Sequence, residues 1–227
     1  MAAVGEFPYF MGIDAGSSSV KMVALVRRDE GDARIAWKAC EAHKGSIGAC
    51  AQGLIEQALA AGELAGGVCA GVVATGACSN VVVDAADGIA ALEDVPAMTL
   101  GASVVAPRAK SVASMGAQNA FFIGDFAEGG APQFAMNEGC AAGTGSFFED
   151  QMGRLGLNIE DYSATVERAG SAPRLSGRCA VFAKTDIIHR QQEGVPVEDI
   201  LLGLCFAMVK SYKATIVCKL PVQAPVL

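Results

Sequence analysis

Charge is scarce in this 227-residue chain: Lys, Arg, Asp and Glu supply 18% of it, against 52% hydrophobic residues. A chain so poor in charge and so rich in apolar side chains buries a core rather than staying disordered. Basic residues number 17 and acidic ones 24, which gives a formal net charge of -7 and a pI near 4.9. Clustered Lys and Arg of the kind that grip nucleic acid or an anionic membrane are missing, so neither partner is expected. A polyphosphate would instead have to be held by local backbone dipoles.

Histidine is nearly absent, with two residues in all. His43 in EAHKG and His189 in DIIHRQQEG suit cap or surface roles, and no Ser/His/Asp set or zinc-ligand spacing is visible. The N-terminus has no basic region, and Glu6 interrupts its apolar stretch, so a secretory signal is not expected. No apolar run reaches the roughly 18–20 residues of a membrane span, so a cytoplasmic protein is expected. There the eight Cys are not a disulfide framework, and Cys50, Cys69, Cys78, Cys205 and Cys218 read as small buried hydrophobes.

Residues 8–26 read as strand, small-residue turn and strand. A helical pattern follows at 48–64, with Leu54, Ala58 and Leu59 on one side, and the unbroken apolar run 68–76 suits a strand buried on both faces. A helix stopped at Pro107 precedes strands at 111–115, 119–126 and 133–136. A Gly-rich loop then opens a helix that places Phe147, Phe148, Met152 and Leu155 near one face. A second Cys-bearing loop and helix occupy 176–192, and a long apolar helix starts after Pro196 with Glu198 and Asp199 in its first turn. Mixed strands and helices imply an α/β layer architecture.

Two loops could carry phosphate chemistry, because glycine lets an anion approach the chain and backbone amides supply donors. Asp14-Ala15-Gly16-Ser17-Ser18-Ser19 could cradle phosphate, with Asp14 orienting hydrated Mg²⁺, or it could be an ordinary tight turn. Gly143-Thr144-Gly145-Ser146 could bind an anion at a helix start, or Thr144 or Ser146 could simply cap that helix. Cys140 and Cys179 each stand at a loop-to-helix junction, where a thiol is readily held as thiolate. Two thiolates do not complete a four-thiolate cluster; a symmetric dimer would double them, or the two could simply be buried thiols with no ligand.

Taken in this order, GIDAGSSSVKMVAL, VVATG, SMGAQN, NEGCAAGTGSFFE and GRCAVFAKTDII resemble the BadF/BadG/BcrA/BcrD-type ATPases, the activators of 2-hydroxyacyl-CoA dehydratases. The resemblance implies an actin-like (ribonuclease H-like) α/β fold with mixed sheets flanked by helices. One activator domain would span 1–227, with lobes of about 1–105 and 106–227. It implies that Asp14, Gly16, Ser17, Ser18, Ser19, Gly116, Gly143, Thr144 and Gly145 bind ATP and Mg²⁺, with Asp14 and Gln118 catalytic. Cys140 and Cys179 would ligate a 4Fe-4S cluster shared across a homodimer. ATP binding and hydrolysis would then alter the angle between protomers and drive one electron from a ferredoxin or flavodoxin into the dehydratase. Two departures stand out. Ser114 and Asn119 occupy positions that are acidic in the family, and LPVQAPVL stands where the adenosine-binding portion would begin. These departures keep open a degenerate, non-hydrolysing module that holds a cluster or a partner.

Overall fold

The computed structural model describes residues 7–27, 33–124, 132–137, 144–177, 180–218 and 220–227. The polypeptide forms two compact units, Met1–Leu100 and Gly101–Leu227.

In the first unit the strands β1 (Phe7–Ala15), β2 (Ser19–Val26), β3 (Arg34–Ala42), β4 (Gly67–Thr75) and β5 (Ile89–Ala91) form one sheet in the order β3-β2-β1-β4-β5. The first three run antiparallel, while β4 lies parallel to both β1 and β5. Period-two alternation puts Tyr9, Met11 and Ile13 of β1 and Val20, Met22 and Ala24 of β2 on one buried face. Helix α1 (Ile47–Ala60) closes that face with Ala51, Leu54 and Ala58. Truncating Leu54, which is fully buried, would cost about 2–5 kcal/mol. Helix α2 (Ser79–Val83) adds Val82 to the same core.

Three expectations from sequence need correction here. Leu59 faces solvent, at 52% exposure, because α1 turns only its 51/54/58 stripe inward. Strand β4 is not buried on both faces: within the unit only Ala74 is fully enclosed, and Val68 and Val73 are exposed. The run is apolar throughout, but the first unit covers one side of it. Among the described cysteines Cys40, Cys69 and Cys218 are exposed, whereas Cys50, Cys78 and Cys205 are half-buried and pack against the two cores.

Helix α3 (Asp94–Val105) carries the chain into the second unit and ends before Pro107. There β6 (Ser111–Met115), β7 (Ala120–Gly124) and β8 (Gln133–Met136) make an antiparallel sheet in sequence order. The last residues run beside β6, with the Ala113 amide donating to the Leu227 carbonyl at 2.9 Å. The helices of this unit are α4 (Gly145–Arg154), α5 (Tyr162–Val166), α6 (Ala180–Gln192) and α7 (Val197–Tyr212). A π-helical turn, Lys213–Val217, extends the last. Phe147, Phe148 and Met152 of α4 pack with Ile187 of α6 and Ile200, Leu201 and Leu204 of α7, while Leu155 is partly buried beside them.

With its π-helical extension, α7 is 21 residues long and, by length and composition, apolar enough to cross a membrane. This amends the expectation that no run reaches that length. Half of the segment is buried in the second unit, which is the pattern of a core helix. Asp199 does more than face the helix dipole: its carboxylate accepts from the amides of Gly170 and Ser171 and from the Ser171 hydroxyl, at 2.8, 3.1 and 2.6 Å.

Candidate functional site

In the first unit the candidate phosphate turn joins β1 to β2. The antiparallel register sets Asp14 opposite Lys21, and the Lys21 ammonium lies 3.2 Å from the Asp14 carboxylate. Both side chains are nearly half exposed, so the pair stabilises the fold little. Its effect is to fix opposite charges at the mouth of the turn.

Three carbonyls of this turn are tied down. Gly16 donates to Ser19 at 3.0 Å, Cys78 to Ala15 at 2.9 Å and His43 to Ser18 at 3.3 Å. The Ser17 and Ser18 amides have no backbone partner among the described residues. A turn held by its carbonyls with amides to spare is suited to an anion. Space is limited by design: a Cβ built on Gly16 would sit 3.2 Å from the Lys21 nitrogen.

The second support comes from the end of β4. Gly76 adopts φ +96°, and a Cβ there would collide with the Ala15 carbonyl and the Asp14 carboxylate. Only glycine lets this segment close on the turn. Asp94 fixes it by accepting from the Gly76 amide at 2.9 Å and from the Thr75 hydroxyl at 3.3 Å. Sequence reading passed over Asp94, whose local signal is only that of an acidic residue opening a helix. His43 is buried rather than at the surface. Its Nδ1 accepts from the Gly45 amide at 3.0 Å, which assigns the proton to Nε2, an atom without a partner among the described residues.

In the second unit Gly116 and Gln118 lie on the β6–β7 turn, with Gln118 exposed. The Gly116 amide donates to Asn119 at 2.9 Å. Asn137 staples the turn from outside: its side chain accepts from the Ala120 amide and donates to the Gln118 carbonyl, both at 2.8 Å. Thr144 is the buried N-cap residue of α4, and its backbone is extended. The first amides of α4 meet the turn directly, Gly145 donating to Gly116 at 2.8 Å and Ser146 to Ala117 at 3.0 Å. A cleft of about 240 Å³ opens beside them, lined by Gly116, Ala117, Gly145, Phe148 and Met208 among others.

The structure therefore gathers Asp14 and Gly16–Ser19 in one unit, and Gly116, Gln118, Thr144 and Gly145 in the other. Gly143, Cys140 and Cys179 fall outside the described residues. Among the described residues, no three His, Cys, Asp or Glu side chains converge as a metal site. Cys205 lies 3.1 Å from the Tyr162 hydroxyl, and burial pushes its thiol pKa up, so it stays protonated and is no nucleophile.

Comparison with known proteins bears on this geometry. The model of the BadF/BadG/BcrA/BcrD ATPase family matches residues 11–223. The chain is 29% identical over 196 residues to the activator of lactoyl-CoA dehydratase from Anaerotignum propionicum, covering 86% of this chain and 73% of that protein. It is 28% identical over 123 residues to the (R)-2-hydroxyglutaryl-CoA dehydratase activating ATPase of Acidaminococcus fermentans, covering 53% of this chain and 47% of that one. The crystal structure of (R)-2-hydroxyglutaryl-CoA dehydratase component A from Acidaminococcus fermentans superposes with a TM-score of 0.81 at 25% identity, covering 96% of this chain and 81% of that one.

Proposed function

Because the chain belongs to the BadF/BadG/BcrA/BcrD ATPase family and carries its actin-like fold, we propose that it is an ATP-driven activator of a 2-hydroxyacyl-CoA dehydratase. The observation that carries this reading is the first turn, with its bound carbonyls, spare Ser17 and Ser18 amides, and Asp14 and Lys21 flanking the mouth. Those residues fit a phosphate chain with its divalent cation: Gly16 and Gly76 leave the backbone bare where a side chain would obstruct it. Mg-ATP, when bound, supplies a phosphoanhydride whose cleavage needs positioning and charge neutralisation rather than covalent chemistry from the protein.

The chain's own part is then positional. Asp14 orients water on the cation, Lys21 and the Ser17 and Ser18 amides hold phosphate oxygens, and Ser19 closes the turn through its carbonyl. Gly116, Gly143, Thr144 and Gly145 are assigned to nucleotide binding, and Gln118 to orienting the attacking water. Cys140 and Cys179 supply two thiolates per protomer, so that a homodimer offers the four that a 4Fe-4S cluster takes. Such a cluster would supply one-electron chemistry between a ferredoxin or flavodoxin and the dehydratase. Nucleotide state can bias the protomer arrangement only through differential affinity for its two states.

Two measurements test the reading together: Mg-ATP hydrolysis, and an anaerobic count of iron and sulfide. Four iron and four sulfide per dimer, lost in Cys140→Ala and Cys179→Ala, would support it. Metal-free protein after reconstitution would reject the cluster.

One observation favours a second reading, a non-hydrolysing module. The Gly145 and Ser146 amides are already engaged by the β6–β7 turn, and Ser114 and Asn119 bring no carboxylate to it. Stabilisation by Mg-ATP without phosphate release would select this second reading.

A further inference from the structure

The two oxygens of the Asp14 carboxylate have different neighbours. Oδ2 lies 3.2 Å from the Lys21 ammonium, in a pair open enough to water for an incoming cation to displace it. Oδ1 rests against the bare Cα of Gly76, where a Cβ would come within 2.5 Å of it. The Gly76 amide stands beside that oxygen and yet donates elsewhere, to Asp94 Oδ1 at 2.9 Å, where the Thr75 hydroxyl joins it at 3.3 Å. Among the described residues Asp14 has the Lys21 pair and no other polar partner.

Two carboxylates therefore compete for one amide, and the more distant in sequence holds it. Hydrogen bonds to a charged acceptor are the strong ones, so a Gly76 amide released by Asp94 would turn to the carboxylate next to it. We propose that Asp94 is a positioning residue for the cation of the phosphate turn. By taking the Gly76 amide it keeps Asp14 Oδ1 free to accept from a metal-bound water. By tethering residues 75 and 76 it also fixes the surface against which that carboxylate rests, so the acceptor is in place before the ligand arrives. Asp94 itself touches neither metal nor nucleotide. The inference rests on the reading of the first turn as a Mg-ATP site.

The test is calorimetric titration of the full chain with Mg-ATP, at a temperature where circular dichroism shows every variant folded. Asp94→Ala is expected to bind about tenfold more weakly than the parent. Asp94→Asn, whose amide oxygen still accepts from Gly76, should stay within about threefold. Gly88→Ala controls for lost stability, since a Cβ there meets nothing within 4 Å, and should bind like the parent. Because Asp94 acts through Asp14, adding Asp94→Ala to Asp14→Ala should weaken binding no further than Asp14→Ala alone. Undiminished binding by Asp94→Ala overturns the inference, as do equal losses in Asp94→Ala and Asp94→Asn or additive losses in the double variant. A parent that binds no Mg-ATP sinks the reading of the turn itself, and this inference with it.

Discussion

One carboxylate oxygen of Asp94 receives both the Gly76 amide and the Thr75 hydroxyl, so a residue 18 positions further on holds the segment that backs the candidate phosphate turn. Asp94→Ala leaves two part-buried donors without their acceptor. The expected loss of stability is about 1–3 kcal/mol, read as a lower urea midpoint. Asp94→Asn keeps one acceptor oxygen and should lose less. Equal midpoints for all three proteins would show that the carboxylate does not hold the segment.

Gly76 and Gly88 make a matched pair. Both have positive φ, +96° and +85°, but only at Gly76 would a Cβ meet other atoms. Gly88→Ala should therefore cost only the backbone penalty, about 1 kcal/mol, and Gly76→Ala about 2–4 kcal/mol. Thermal unfolding of the two variants checks the difference.

Asp14 and Lys21 separate binding from folding. Their ion pair is nearly half exposed, so Asp14→Asn and Lys21→Ala should each change stability by less than about 1 kcal/mol. The rise in melting temperature with millimolar Mg-ATP should nevertheless shrink in both, since that rise depends on affinity alone. A full rise in Asp14→Asn would remove Asp14 from the site.

Asp199 gives a pH dependence. The Ser171 hydroxyl, the Ser171 amide and the Gly170 amide hold its carboxyl below the ordinary range, against a smaller opposing effect of burial. With a depressed folded-state pKa, its contribution is fully present above the unfolded value near 3.9 and is lost as pH falls from there through the folded value. Urea midpoints measured from pH 6 down to pH 3 should fall more steeply for the parent than for Asp199→Asn. Parallel curves would contradict this.

At the alkaline end, Tyr212 donates to the Phe121 carbonyl at 2.6 Å, and burial pushes its pKa up to about 12. Its stabilising effect is complete below pH 10 and disappears as pH rises through 12. Tyr212→Phe should cost about 1–2 kcal/mol at neutral pH and lose less of its remaining stability above pH 10. A midpoint series across that range distinguishes the two proteins.

What the sequence disclosed follows from which forces are local. The β1–β2 hairpin was legible because Tyr9, Met11, Ile13, Val20, Met22 and Ala24 alternate as a half-buried sheet requires. The α4 face was legible because Phe147, Phe148 and Met152 recur at helical spacing. Strand β3 was missed since RIAWKACEA lies at the sheet edge, mostly exposed and without clean alternation. The burial of β4 was misjudged because an apolar run does not reveal how many of its faces neighbours will cover. Both candidate turns were found through their glycines, but the residues that brace them, Asp94 and Asn137, act across 17 to 19 positions and leave no local pattern.

The carbonyls of Gly116 and Ala117, seated on the opening amides of α4, make turn and helix a single mechanical piece. Because Phe147, Phe148 and Met152 anchor that ten-residue helix among α6 and α7, strain applied to the turn is passed straight into the second unit's core.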